Sequence, residues 1–131
     1  MQDMLDKIHE ECGVFGIYDN DDMGVVESAD MALYALQHRG QESCGIAVND
    51  DGVISSYRDL GLVSDVFKQE TLERLGNGKM ALGHCLYGTA ESNKRENAQP
   101  MPFRHVKGQM AIANNGSILN ALDLREKLEM Q

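Results

Sequence analysis

The chain has 131 residues, which fits at most one globular domain; 42% of them are hydrophobic and 25% are charged, an ordinary composition for a folded protein. Its formal net charge of −9 argues against a nucleic acid or an anionic membrane surface as the main partner. No apolar run is long enough to cross a membrane, and residues 1–11 have mixed charge without the hydrophobic centre of a signal peptide. The sequence therefore predicts a cytoplasmic protein.

The three cysteines, Cys12, Cys44 and Cys85, are scattered along the chain without CxxC spacing. An odd, scattered set argues against a disulfide framework. The adjacent pair His84–Cys85 has no second pair of ligands nearby in the sequence, so it makes a poor zinc site. We therefore expect no metal and no cofactor in this chain.

The first part of the chain predicts a strand followed by a helix. Residues 12–19 favour a strand because they are rich in apolar and β-branched side chains and are followed by a polar turn. Residues 25–38 carry apolar side chains at i, i+3 and i+4 spacing and predict a helix that lies deep against a sheet, with Gly40 as its C-cap. The apolar face expected for this helix also includes Met31, Tyr34 and Ala35.

The rest of the chain predicts short strands and helices in alternation. Asp51-Gly52 is a strong hairpin signal between two strands at residues 44–48 and 53–57. A polar loop is expected at residues 89–102, which carry both prolines. This order of elements indicates an α+β protein rather than a doubly wound nucleotide binder. The remaining predicted elements are helices at 62–67 and 69–75, strands at 80–87 and 109–113, a tight turn at 114–116 and a helix at 120–129.

Cys12 is the candidate nucleophile because of its position behind a short polar leader. Cleavage of the Glu11–Cys12 bond would place a free α-amine beside the thiol. That amine has a reference pKa of about 7.7–8.0, so it could take the thiol proton directly or through one water. Taken alone, Cys12 is more typical of a core cysteine on a strand, because free cysteine is among the most buried residue types.

Longer sequence strings carry the resemblance to a known family. Residues 11–17 read ECGVFGI, and residues 34–43 read YALQHRGQES. Further matching segments follow in the same order as far as residue 129, and the ordered series resembles the glutaminase domain of the amidophosphoribosyltransferase family. The second string separates this family from glucosamine-6-phosphate synthase and asparagine synthetase. The further matching segments are Gly61-Leu62-Val63, Val66-Phe67, Gly83-His84, Tyr87, Thr89, Asn97-Ala98-Gln99-Pro100, Asn115-Gly116, Asn120-Ala121 and Leu124-Arg125.

The resemblance implies a fold, a domain division and a set of partners. The fold would be the αββα sandwich of the N-terminal-nucleophile (Ntn) hydrolases. Residues 1–11 would be a leader, and residues 12–131 the N-terminal part of a type 2 glutamine amidotransferase domain, with the phosphoribosyltransferase domain absent. The implied partners are glutamine, that phosphoribosyltransferase domain and further copies of the protein in a homo-oligomer, with no nucleic acid and no membrane.

The resemblance also assigns catalytic roles. Cys12 would attack the side-chain amide of glutamine, forming a thioester and releasing ammonia for phosphoribosylamine formation in purine biosynthesis. The side-chain amide of Asn115 and the backbone N–H of Gly116 match the family's oxyanion hole, which stabilises the tetrahedral intermediate. By itself, Asn115-Gly116 is more typical of an ordinary turn.

Three more residues are candidates for substrate binding. Tyr87 and Thr89 match the family's substrate-binding segment. Arg39 lies just past the predicted helix, where a cation is favourable for structural reasons alone. Its alternative role is to shape the glutamine pocket.

One position departs from the family pattern. The family motif GHVRYST reads GHCLYGT at residues 83–89, so Leu86 replaces the arginine that binds the α-carboxylate of glutamine. Charged hydrogen bonds contribute about 1.5–3 kcal/mol, so glutamine affinity is expected to fall by about one to two orders of magnitude. Lys94 or Arg95 could compensate in part.

Leu86 leaves two alternatives to an active glutaminase open. The first is a non-catalytic, degenerate glutaminase fold with a binding or regulatory role. The second is an amidohydrolase whose substrate lacks a free α-carboxylate. In the family, the acidic residue that holds the substrate α-amino group lies beyond residue 131, so this chain alone is expected to be impaired or inactive.

Overall fold

The computed structural model describes residues 12–21, 24–88, 94–116 and 118–131. Short helical turns lie at Gln37–Arg39 and Arg95–Asn97. None of the helices within these ranges is long and apolar enough to cross a membrane. The elements in chain order are β1 (Cys12–Tyr18), α1 (Val25–Leu36), β2 (Ser43–Asp50), β3 (Val53–Leu60), α2 (Val63–Val66), α3 (Gln69–Leu75), β4 (Met80–Leu86), β5 (Met101–His105), β6 (Gly108–Ile112) and α4 (Ala121–Glu129).

Four strands form an antiparallel sheet in the order β1-β4-β2-β3, and β5 pairs with β6 in a separate hairpin. The register places Cys12 opposite Leu86, and Leu86 opposite Ser43 on the next strand. Because successive side chains of a strand point to opposite sides, the four-stranded sheet has two distinct faces. We call the side that carries Cys12, Ser43, His84 and Leu86 the site face, and the other side the core face.

The core face is covered by α1. Buried apolar residues of α1, among them Val26 and Leu33, pack on buried residues of the sheet such as Ile46. Gly83 allows this close packing, since a Cβ there would lie 3.0 Å from side-chain atoms of Leu33. The apolar face is narrower than predicted: Met31 is 72% and Tyr34 67% exposed, and Ala35 is exposed as well.

The predicted hairpin between β2 and β3 is confirmed. Asp51 and Gly52 both have positive φ, 50° and 88°, as the tight two-residue turn requires. The side-chain oxygen of Asn49 accepts a hydrogen bond of 2.8 Å from the N–H of Gly52.

The end of α1 differs from the prediction. The helix stops at Leu36, and the turn Gln37–Arg39 intervenes before Gly40. Gly40 has an extended backbone with φ −159°, so it is not a left-handed C-cap. A Cβ at Gly40 would lie 2.7 Å from backbone atoms of Cys85 and Leu86, so close approach to β4 is what requires glycine here.

The predicted loop at 89–102 is partly wrong, because strand β5 begins at Met101; residues 89–93 lie outside the described ranges. The hairpin β5–β6 packs on the site-face side of β3, where the side-chain oxygen of Gln109 accepts a hydrogen bond of 2.7 Å from the N–H of Ile54. The fold is therefore a mixed α+β structure, with α1, α2 and α3 on one face of the sheet and a β-hairpin on the other.

Candidate active site

Cys12 begins β1 and is 6% exposed. Its cross-strand neighbour Leu86 is half-buried, and beyond Leu86 lies Ser43, which is fully buried. The hydroxyl of Ser43 has no hydrogen-bond partner among the described residues. Three adjacent strands thus present a thiol, an apolar side chain and a hydroxyl in one row.

Arg39 contacts the backbone of the candidate nucleophile. Its Nε donates a hydrogen bond of 2.8 Å to the carbonyl oxygen of Cys12. The helical turn before Gly40 brings the guanidinium to this position, because Gly40 lets the chain pass close to β4. Arg39 therefore holds the start of β1, a contact that the sequence analysis did not predict, and its role in the glutamine pocket stays a prediction.

His84 lies on the same face of β4, two residues before Leu86, and is opposite Val14 of β1 and Gly45 of β2. It is fully buried, and its Nε2 lies 2.9 Å from the carbonyl oxygen of Asn114. A carbonyl only accepts, so Nε2 carries the proton and donates it. Burial lowers the pKa of His84, and the hydrogen bond to the Asn114 backbone opposes this effect.

The turn predicted to form the oxyanion hole comes immediately after Asn114 in the chain. The N–H of Asn114 donates a hydrogen bond of 2.7 Å to the side-chain oxygen of Gln99, while its carbonyl accepts from His84. Asn115 and Gly116 come next and are exposed, and Gly116 has φ +152°, a region that favours glycine. Val14, opposite His84, is about 7 Å along the strand from Cys12 on the same face. The structure thus brings the turn to the end of the site face that carries Cys12.

The segment that carries Gln99 lies directly on the sheet. A Cβ at Gly45 would overlap with the carbonyl oxygen of Gln99, so the segment passes in contact with the β2 backbone. Arg58 of β3 donates a hydrogen bond through Nη1 to the carbonyl oxygen of Ala98, and Pro100 is buried. These contacts fix the position of Gln99 over the site face.

The other predicted substrate residues are less closely associated with Cys12. Tyr87 follows β4 and is 56% exposed, and Thr89 lies outside the described residues. Arg95 is engaged on β3, where its Nε lies 3.3 Å from the carbonyl oxygen of Arg58 and 3.7 Å from a carboxylate oxygen of Asp59. Partial compensation for Leu86 by Lys94 or Arg95 stays a prediction.

The remaining cysteines belong to the core face. Cys44 and Cys85 are buried, and burial raises the pKa of each thiol to about 12. Both are therefore neutral thiols near pH 7, on the opposite side of the sheet from Cys12. An apolar cavity of about 570 Å³ lies at the far end of the site face, lined by Tyr18, Met80 and Met110, and is separate from the row that holds Cys12.

Comparison with known proteins shows similarity to amidophosphoribosyltransferases. No protein-family model matches the chain. The amidophosphoribosyltransferase of Methanothermobacter thermautotrophicus is 45% identical over 124 residues, which are 94% of this chain and 26% of that protein. That of Methanocaldococcus jannaschii is 45% identical over 120 residues, 92% of this chain and 25% of that protein. The chain is homologous to the N-terminal portion of amidophosphoribosyltransferase.

Solved structures agree with the sequence comparison. An allosteric regulatory enzyme of purine biosynthesis superposes with a TM-score of 0.76 at 36% identity, over 89% of this chain and 25% of that one. The glutamine phosphoribosylpyrophosphate amidotransferase from B. subtilis, complexed with ADP and GMP, superposes with a TM-score of 0.73 at 35% identity, over 89% and 24%. The chain thus spans about a quarter of the length of the amidophosphoribosyltransferases that it matches.

Sequence reasoning identified Cys12 and the turn but gave no role to the residues that connect them. His84 and Gln99 stand in segments that resemble the family, yet neither was a candidate. The available signal was a histidine within the otherwise apolar strand β4, because a buried polar side chain needs a partner.

Proposed function

We propose that this chain is the glutaminase portion of an amidophosphoribosyltransferase, with Cys12 as its nucleophile. The observation that supports this most directly is the bond from His84 to the carbonyl of Asn114, because His84 lies on the sheet face that also carries Cys12 and Asn114 directly precedes the Asn115–Gly116 turn. Homology to the N-terminal quarter of amidophosphoribosyltransferases supplies the reaction class.

The proposed reaction begins with removal of residues 1–11. The freed α-amine accepts the proton of the Cys12 thiol, and Sγ attacks the side-chain amide carbon of glutamine. The oxygen of the tetrahedral intermediate accepts hydrogen bonds from the Asn115 side-chain amide and the Gly116 N–H. The C–N bond then breaks, the leaving nitrogen takes the proton from the α-ammonium group, and ammonia departs. Water hydrolyses the thioester, giving glutamate and the free thiol.

The fold is consistent with part of an Ntn αββα sandwich. Helices α1 to α3 cover the core face, the sheet follows, and the hairpin β5–β6 packs on the site face; this order of layers supports the proposed fold. In this proposal residues 12–131 are the N-terminal part of the glutaminase domain. The ammonia would be used by a phosphoribosyltransferase domain in a homo-oligomeric full-length protein.

Leu86 favours the alternative function, a non-catalytic glutaminase fold that binds or regulates. It stands directly opposite Cys12 and offers no charge to an α-carboxylate. The two functions differ in whether the Cys12 machinery matures and turns over, which a mass measurement and an ammonia assay decide.

The test starts with the intact mass of the full gene product. The proposal expects loss of residues 1–11 and release of ammonia from glutamine, and Cys12→Ser is expected to lower the rate by at least about 1,000-fold. A folded protein that retains residues 1–11 and releases no ammonia would establish the non-catalytic alternative.

The contribution of Leu86 is measured separately with Leu86→Arg. An arginine at this position is expected to lower KM for glutamine by about 10- to 100-fold, because it restores a charged contact to the α-carboxylate. Leu82→Arg, four residues earlier on the same face, is the matched control and is expected to leave KM unchanged. Hydrolysis of acyl amides without activity on glutamine would instead support a different amide substrate.

A further inference from the structure

The peptide groups on both sides of Asn114 are held by side chains from two different parts of the chain. Gln99, on the segment seated over Gly45, accepts the N–H of Asn114 at 2.7 Å. His84, in the interior of the sheet, donates to its carbonyl at 2.9 Å. These two contacts flank the residue that immediately precedes the Asn115–Gly116 turn.

Together the two contacts restrict the direction in which the turn leaves the sheet. A peptide unit is planar, so the carbonyl of Asn114 and the N–H of Asn115 move as one rigid group. Fixing that carbonyl at His84 orients the N–H of Asn115. Fixing the N–H of Asn114 at Gln99 sets the preceding peptide plane. With both planes held, the φ and ψ angles of Asn114 are held as well.

His84 is suited to hold a backbone group with little freedom. It is fully buried in the middle of the sheet, between Val14 and Gly45 on the neighbouring strands. Its Nδ1 has no hydrogen-bond partner among the described residues, so the one polar contact that they show for this ring is the bond to Asn114. A buried polar group with one partner is expensive to displace from it, because moving the ring would leave the buried Nε2 of His84 unsatisfied.

We infer that His84 and Gln99 are positioning residues that aim the Asn115–Gly116 turn at the reacting carbonyl through the backbone of Asn114. Neither side chain touches the substrate in this scheme. The inference rests on the proposed function, because it assumes that the turn stabilises an oxyanion formed at Cys12. Misplacement of a catalytic group by about 1 Å can cost about 100-fold in rate, so the effect is measurable.

Two reactions of the same thiol separate positioning of the turn from reactivity of the nucleophile. Acylation of Cys12 by p-nitrophenyl acetate passes through a tetrahedral oxyanion and needs the turn. Alkylation by iodoacetamide displaces iodide at a saturated carbon and forms no oxyanion. The ratio of the two rate constants therefore reports the oxyanion hole, and Cys12→Ser shows how much of each reaction belongs to this thiol.

The variants are His84→Leu, His84→Gln and Gln99→Leu in the full gene product. His84→Leu removes the donor, and the acylation-to-alkylation ratio is expected to fall by about 10- to 100-fold. Glutamine places an N–H near the position of Nε2, so His84→Gln is expected to restore the ratio to within about threefold. Gln99→Leu removes the acceptor of the Asn114 N–H and is expected to lower the ratio by about tenfold.

Gln109→Leu is the matched control. Gln109 accepts a backbone N–H at the same distance of 2.7 Å, but at Ile54, away from Cys12. This variant is expected to leave the ratio unchanged while losing a comparable hydrogen bond. A fall in the ratio equal to that of Gln99→Leu would indicate a general loss of structure and would overturn the inference.

The outcomes separate the inference from the proposed function. An unchanged ratio in folded Gln99→Leu and His84→Leu overturns the inference, even if the protein hydrolyses glutamine. If His84→Leu does not fold, the decision falls to Gln99→Leu and His84→Gln: a tenfold fall in the first and a near-normal ratio in the second support the inference, and any other result overturns it. Absence of glutamine hydrolysis in the unaltered protein refutes the proposed function, while the ratio still reports the turn.

Discussion

The two faces of the four-stranded sheet are made by alternate residues of the same strands, yet they are built differently. The core face meets side chains, with Ile46 and Val48 packed against α1. The site face meets backbone as well: Gly45 contacts the Gln99 carbonyl, and His84 binds the Asn114 carbonyl. One face is stabilised by apolar burial, the other by directional contacts to chain segments that pass over it.

The glycines show the same contrast. Gly83 on the core face makes room for side-chain atoms of Leu33, which can adjust by rotation. Gly45 on the site face makes room for a carbonyl group, which can adjust only if the segment moves. We therefore expect changes on the core face to alter mainly stability, and changes on the site face to alter the position of the proposed catalytic groups as well.

The largest expected effect on stability is at the centre of the core face. Leu33 is fully buried, and Leu33→Ala is expected to lower the free energy of unfolding by about 3 kcal/mol, because it leaves a cavity. Met31→Ala, on the exposed side of the same helix, is expected to change it by less than about 0.5 kcal/mol. Urea denaturation of the two variants measures both values. Equal values would mean that α1 does not pack as described.

A smaller loss of stability, coupled to activity, is expected on the site face. In Gly45→Ala the new methyl group would overlap with the Gln99 carbonyl and lie 2.8 Å from Cβ of Arg58. We expect about 2 kcal/mol of destabilisation, together with a fall of more than about tenfold in glutamine hydrolysis, because Gln99 shifts.

Gly16→Ala is the control for this prediction. Gly16 lies on β1, on the same face of the sheet as Gly45, and a Cβ added there would have no atom within 4 Å. The variant is therefore expected to be nearly neutral in both measurements. A Gly45→Ala protein with normal activity would show that contact between Gly45 and the segment that carries Gln99 does not position the turn.

The smallest expected effect is a pH dependence of the free energy of unfolding, caused by His84 on the site face. The pKa of His84 is lowered by burial, so below about pH 6.5 the unfolded state binds a proton that the folded state resists. Titration of His84 therefore costs no stability above about pH 6.5. As the pH falls below this value, it lowers the free energy of unfolding, with a slope of at most about 1.4 kcal/mol per pH unit.

His84→Gln removes this titration, so its stability is expected to fall less between pH 7 and pH 5 than that of the unaltered protein. Burial raises the pKa of Asp30, which acts in the opposite direction, because the folded state then takes up a proton more readily than the unfolded state. Both proteins contain Asp30, so the difference between their urea-denaturation profiles isolates His84. Parallel profiles would contradict the assigned shift.

The elements that the sequence predicted well are those with local signals. Asp51-Gly52 specified a hairpin because only a few residues accept positive φ, and the apolar periodicity of α1 specified its buried side at Val26 and Leu33. Strand β5 was missed because Pro102 lies within it and a polar segment precedes it, so its pairing with β6 has no local signature.

Most of the candidate site residues were named because the resemblance supplied a motif. Asn115 and Gly116 came from the series of matching segments, whereas Cys12 was a candidate from its position behind a polar leader. The bond from His84 to Asn114 joins residues 30 positions apart and ends on a backbone carbonyl, which every residue carries. No pattern of side chains encodes such a contact, so it emerges only from the folded chain. The close approach at Gly40 was likewise mistaken for a local helix cap for this reason.

The bond from Arg39 to the carbonyl of Cys12 has a consequence for the mobility of a mature enzyme. Removal of residues 1–11 would turn Cys12 into a chain terminus, and termini ordinarily fray. Here the terminal residue is paired with Leu86 on one side and anchored by a guanidinium on the other. A nucleophile in this setting gains the free amine of a chain end while keeping the restricted conformational entropy of an interior residue.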